Sequence, residues 1–259
     1  MNYRQSDMRG IIYPAPTGLN TNEGLQDLLL DEARGRVYIT NSGFNRVEVF
    51  DTKKLRFLDP IKVGQLPHQM ALGTDGTTLY VANAGGESIS IVDLDLGRET
   101  GQVEFPPIPR AGNAGPRFVR TMAMGLRGLQ FVMDNGSQWK LVGNLATVRP
   151  LNDGVTPNNF SGYTTMLATP GYDAIITLDG NGTAYLYDGL LDAYTRAARL
   201  FNNPIQSYYG ILTAAPKGSF FLANGLILNS SLTAIGGAER PGTIQYGAPA
   251  GPGQPPSQT

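Results

Sequence analysis

The segment Leu79-Tyr80-Val81-Ala82-Asn83, followed beyond Ala84-Gly85-Gly86 by Ser88-Ile89-Ser90-Ile91-Val92-Asp93, returns 42 residues earlier without a gap. Tyr38-Ile39-Thr40-Asn41 lies over Tyr80-Val81-Ala82-Asn83, and Val47-Glu48-Val49-Phe50-Asp51 lies over Ile89-Ser90-Ile91-Val92-Asp93. Each copy reads as a hairpin: strand formers, a small turn, then alternation that gives the outgoing strand one buried face. A period in the forties built of short strands is a repeat signature, in which each unit buries its apolar face against the next.

Four strands fit into each unit: 26–30, 37–41, 47–51 and 57–63 in the first copy, with Pro60 marking an outer edge strand where a missing N–H breaks no ladder bond. About five units follow, at roughly 24–66, 67–105, 117–151, 163–202 and 208–237. The turns Asp134-Asn135-Gly136-Ser137 and Asp179-Gly180-Asn181-Gly182 mark hairpins in the third and fourth, and Phe221-Leu222-Ala223-Asn224 echoes the opening stretch in the fifth. Irregular insertions separate units at 106–116 and 152–162. Residues 1–23 are a leading segment in which Gly10-Ile11-Ile12-Tyr13 reads as a closing strand, and 247–259 is a Pro/Gly-rich linker with too little apolar surface to order itself. The fold class is therefore all-β, a propeller of about five four-stranded antiparallel blades, with an open ring favoured over a closed one.

Those residues resemble the YVTN-type β-propeller repeats. The likeness rests on Val37-Tyr38-Ile39-Thr40-Asn41, Leu79-Tyr80-Val81-Ala82-Asn83, Phe221-Leu222-Ala223-Asn224, Pro67-His68, Asp75-Gly76 and the closing Asp51 and Asp93. It implies a propeller like those of lactonases and amine-dehydrogenase heavy subunits, and an exported or cell-surface bacterial or archaeal protein. Fold does not by itself imply function.

Composition removes several classes. Charged residues are 16% and the net charge is −1, which gives no basic field for a nucleic-acid backbone. Cysteine is absent, so disulfides and thiolate chemistry are excluded. No signal-peptide h-region is visible in Met1–Gly10, and no apolar run reaches the length of a membrane span. The one histidine cannot supply a multi-His metal site, and no cofactor is expected.

Counting back fifteen positions from Asn41, Asn83 and Asn224 gives Gln26, His68 and Tyr209, where the innermost strands begin. Looser alignment adds Arg120 and Tyr163. These five residues form the candidate ligand site at one channel mouth, and long inter-blade loops open on the same side. Phe160, Tyr163, Tyr208 and Tyr209 can stack on a sugar or peptide, but packing between blades is the commoner use of such residues. Asp179-Gly180-Asn181-Gly182-Thr183 has the opening of a calcium loop, yet Leu190 stands at the twelfth position and a hairpin turn is due there. The expected role is a non-catalytic binding or structural module for a protein or carbohydrate ligand, with self-association through open blade edges. The alternatives are a lactonase-like enzyme using His68 and Arg120, and an incomplete piece of a longer propeller protein.

Overall fold

The structure is a computed structural model, and it describes residues 10–15, 24–108, 112, 115–151, 153–201 and 212–237. The first blade holds β1 (Leu25–Asp31), β2 (Arg36–Asn41), β3 (Arg46–Asp51), β4 (Arg56–Phe57) and β5 (Ile61–Lys62). Both β4 and β5 pair with β3, because Asp59-Pro60 breaks a single outer strand into two pieces. The second blade is β6 (Pro67–Leu72), β7 (Thr78–Asn83), β8 (Ser88–Asp93) and β9 (Arg98–Gln102). The third is β10 (Val119–Gly125), β11 (Gly128–Met133), β12 (Gln138–Val142) and β13 (Leu145–Val148). The fourth is β14 (Thr165–Ala168), β15 (Ala174–Leu178), β16 (Thr183–Asp188) and β17 (Ala193–Arg199). The fifth is β18 (Leu212–Ala214), β19 (Phe220–Ala223), β20 (Leu226–Asn229) and β21 (Ala234–Gly237). Every sheet is an antiparallel meander in sequence order, so the expected all-β architecture of five four-stranded blades is what forms.

Two compact units divide the described chain, and the division runs through the third sheet. The first unit takes blades one and two, the start of β10 up to Arg120, and residues 141–146. The second takes the rest of blade three with blades four and five.

The repeat persists even in its irregularities. A β-bulge interrupts β1 between Leu25 and Leu28, and another interrupts β6 between Pro67 and Met70, at the same repeat position. The closing aspartates have a common job. Asp51 Oδ1 accepts from the backbone N–H groups of Lys53 and Lys54, Asp93 Oδ1 from those of Asp95 and Leu96, and Asp188 Oδ1 from those of Leu190 and Leu191, all at 2.8–3.1 Å. Each side chain thus caps the turn into the outer strand, the local bonding that makes Asp a turn residue. Asn229 does the same in blade five.

Within each unit, alternation along the strands yields a leading face toward the preceding blade and a trailing face toward the next. Leu29, Tyr38, Val47 and Val49 on the trailing face of blade one pack against Met70, Leu72, Leu79, Val81 and Val92 on the leading face of blade two. In the second unit Ala123 and Val132 meet Met166, Ile175, Tyr185 and Tyr187, while Ile176, Leu178 and Ala184 meet Phe221, Ala223 and Leu228.

Two expectations change. Residues 10–15 are irregular, not a closing strand; Tyr13 instead sets its ring 5.0 Å from Phe50 on the leading face of blade one. Asn41 and Asn83 end their strands, but Asn224 lies in the hairpin turn with φ 45°, so the repeat frame slips in blade five. Phe160 takes the commoner of its two uses, packing: 4% exposed, it stands edge-on to Tyr185 and Tyr194. At 179–183 the hairpin turn forms, closed by Asp179 N–H to the Thr183 carbonyl and Gly182 N–H to the Asp179 carbonyl.

Candidate functional site

The bulges in β1 and β6 fall at Gln26 and Asp27 in one blade and at His68 and Gln69 in the next, equivalent points of the two first strands. A hydrogen-bond relay fastens them. Asp27 N–H donates to Thr40 Oγ1 at 2.9 Å, and the Thr40 hydroxyl donates to the His68 carbonyl at 2.6 Å. Asp27 Oδ2 accepts from Met70 N–H at 2.8 Å and its Oδ1 from Leu28 N–H at 2.9 Å. One carboxylate therefore ties the inner strand of blade one to that of blade two.

Asp27 lies beside His68, and the two bias each other. Burial pushes the Asp27 carboxyl up, against hydrogen bonds from Met70 and Leu28 and the nearby His68 charge. Burial lowers His68; Asp27 opposes this and the Arg120 charge adds to it. Imidazole and carboxyl are thus both held toward their neutral forms, with Arg120 as the permanent charge. Arg120, at the start of β10, places its guanidinium 5.7 Å from the Phe118 ring. His68 Nδ1 and Arg120 Nε are both buried and neither has a hydrogen-bond partner. Bare buried nitrogens are costly, about 1–3 kcal/mol each, unless something fills their valence.

Of the five residues marked from sequence, His68 and Arg120 belong to this cluster. Gln26 is exposed and its amide reaches Ser42 Oγ at 3.4 Å. Tyr163 belongs to the second unit and is 51% exposed. Tyr209 lies outside the described residues. Asp27 went unmarked because counting by period reaches Gln26; an acidic residue next to the position equivalent to His68 was the available signal.

A second polar cluster lies wholly in the second unit. Arg149, 5% exposed, donates through Nη1 to Gln130 Oε1 and Asp192 Oδ1 at 3.0 Å, and through Nη2 to the Asp192 carbonyl at 2.6 Å. Lys140 Nζ reaches Asp192 Oδ2 at 3.0 Å and the Tyr187 hydroxyl donates to Asp192 Oδ1 at 2.8 Å. The guanidinium also sits 5.0 and 5.6 Å from the rings of Tyr187 and Tyr194. Burial pushes Asp192 up, but the bonds from Tyr187, Lys140 and Arg149 outweigh it and hold the carboxyl below its ordinary value. Burial pushes Tyr194 up to about 12 and Tyr187 higher still. This network joins blades three and four through Asp192, while Arg149 Nε and Gln130 Nε2 are buried without a hydrogen-bond partner. Among the described residues no cluster of three His, Asp or Glu side chains is arranged to hold a metal ion.

No family model matches the chain, and no curated protein matches it in sequence. Solved structures do match in fold. Kuenenia stuttgartiensis hydrazine synthase aligns with a TM-score of 0.55 at 13% identity, over 88% of this chain and 59% of that one. The β-propeller domain of Myceliophteria thermophila Cps50 (Swd1) aligns with a TM-score of 0.58 at 12% identity, over 84% of this chain and 66% of that one. The fold is a β-propeller. At these identities the likeness speaks of fold alone, and this chain spans less than two thirds of either chain.

Proposed function

We propose that this chain is a YVTN-type propeller of an exported or cell-surface protein, and that it serves as a non-catalytic binding module. The ligand is a protein or carbohydrate group carrying a carboxylate, received at His68 and Arg120. The observation that carries this reading is the pair of buried, unpartnered nitrogens, His68 Nδ1 and Arg120 Nε, on adjacent blades. A permanent guanidinium charge beside a neutral imidazole suits an oxygen-rich anion.

The proximity of Asp27 to His68 favours a second reading, a lactonase-like enzyme with His68 as general base. Against it, the Asp27 oxygens accept from the Leu28 and Met70 N–H groups and His68 Nδ1 has no hydrogen-bond partner, so the carboxylate does not orient the imidazole through that nitrogen. Calorimetric titration with oligogalacturonate, neutral oligosaccharides and acidic peptides, beside a lactone-hydrolysis assay, separates the two. Saturable binding of a carboxylated ligand, lost in Arg120→Ala, with no turnover is the expected result. Lactone turnover lost in His68→Ala overturns the binding reading in favour of the enzyme.

A further inference from the structure

Blade one and blade two are copies, yet equivalent residues meet opposite fates. Met70, Leu79 and Val81 on the leading face of blade two are at most 5% exposed beneath the trailing face of blade one. Their counterparts 42 residues earlier are Leu28, Val37 and Ile39, joined by Leu30, the counterpart of Leu72. Leu28 is 64% exposed and Leu30 51%. Cross-strand register puts Leu28 beside Ile39 and Leu30 beside Val37, so these four make one continuous apolar face. Among the described residues, Tyr13 lies against its outer part, at Phe50.

The hydrogen-bond tie between blades is likewise open there. Met70 N–H is taken by Asp27 of the preceding blade, and Met166 N–H by Thr121 Oγ1 in the same manner. The equivalent Leu28 N–H is capped only by its own neighbour, Asp27 Oδ1. Blade five offers the complementary surface. Phe221, Ala223 and Leu228 are buried against blade four, while Phe220 and Ile227 on the trailing face are 50% and 39% exposed. Leu222 and Ile227 are paired across strands and complete that face.

We infer that these two faces are an interface between copies of this chain, the trailing face of blade five in one copy seated on the leading face of blade one in another. The surface that covers a leading blade face elsewhere in this chain is a trailing blade face, and a second copy supplies one in the same chemistry. The contact is heterologous, since the two patches differ.

Sedimentation equilibrium over a range of concentrations tests this with three proteins: wild type, Leu28→Glu/Leu30→Glu, and Phe220→Glu/Ile227→Glu. The wild type is expected to reach at least twice its 27.8 kDa chain mass at tens of micromolar, and each variant alone to stay monomeric. Mixing the two variants restores one intact contact, and a species of two chains appears. Hydrogen exchange on the wild type adds a readout that needs no variant: Leu28 N–H and the amides of β20 gain protection as concentration rises. A wild type that stays monomeric, including one whose faces are covered by its own remaining segments, overturns the inference. So does association that the variants leave intact, or a mixture that stays monomeric.

Discussion

Asp192→Asn is the sharpest probe of the network between blades three and four. Asp192 holds φ 53°, a left-handed conformation that Asn tolerates as Asp does, so the substitution removes charge without adding backbone strain. The wild-type carboxylate receives Lys140, Arg149 and Tyr187 at 2.8–3.0 Å. An amide has one acceptor oxygen, so at least one cationic donor loses its partner, and Arg149 is 5% exposed and cannot turn to water. Hydrogen bonds to charged groups contribute about 1.5–3 kcal/mol, and the partial exposure of Asp192 favours the lower half, about 2 kcal/mol. At roughly 4 °C per kcal/mol for a unit of this size, the melt falls by about 8 °C. Trp139 is the chain's one tryptophan, is buried in the same unit and stacks on Phe131, so its fluorescence reports this transition. The acid limb is the control. A carboxyl depressed on folding stabilises the protein above its unfolded value of 3.8, and that contribution is lost as pH falls through the lower folded value. Wild type and Asp192→Asn therefore converge in stability toward pH 2–3. A melt unchanged at pH 7, or a gap that persists undiminished in acid, refutes the reasoning.

Three further outcomes follow from other parts of the chain. Gly136→Ala destabilises the second unit strongly, by about 3 kcal/mol or more in a urea titration, because its φ is 83° and a Cβ would run into the Phe160 carbonyl oxygen. Asp93→Ala removes the cap on the Asp95 and Leu96 N–H groups and costs about 1 kcal/mol in the first unit, whereas Asp93→Asn costs less than half of that. His68→Ala changes stability by less than about 1 kcal/mol, because truncation removes an unsatisfied Nδ1 along with the ring's packing; a loss above 3 kcal/mol in a thermal melt contradicts this.

Much of the architecture was legible because the repeat expresses it twice. Strands at 138–142, 174–178, 183–188 and 226–229 lie where alternation and turn residues placed them, and the recurring Asp at the strand end has a bonding reason. What escaped was non-periodic. Asp27 enters the site through a bulge, one extra residue on β1 that an alternation count does not foresee. Arg149 and Asp192 are 43 residues apart in unlike surroundings, and no spacing rule joins them. Gly10-Ile11-Ile12-Tyr13 has strand composition, but aromatic packing on Phe50 holds Tyr13 while Ile11 and Ile12 remain exposed. Asn224 looks like the repeat's strand-ending Asn, yet Gly225 after it, with φ 90°, makes an Asn-Gly turn the better solution.

The binding claim is tested most directly on the imidazole of His68, the only histidine in the chain and hence an unambiguous NMR signal. In the free protein its ring resonances should titrate below the ordinary 6.5, because burial and Arg120 disfavour the charged form. Adding oligogalacturonate or an acidic peptide at neutral pH should shift them saturably and raise the titration point, since a bound carboxylate favours imidazolium. Arg120→Ala should abolish the response. A His68 ring that titrates at 6.5 or above and ignores every carboxylated ligand would contradict the account.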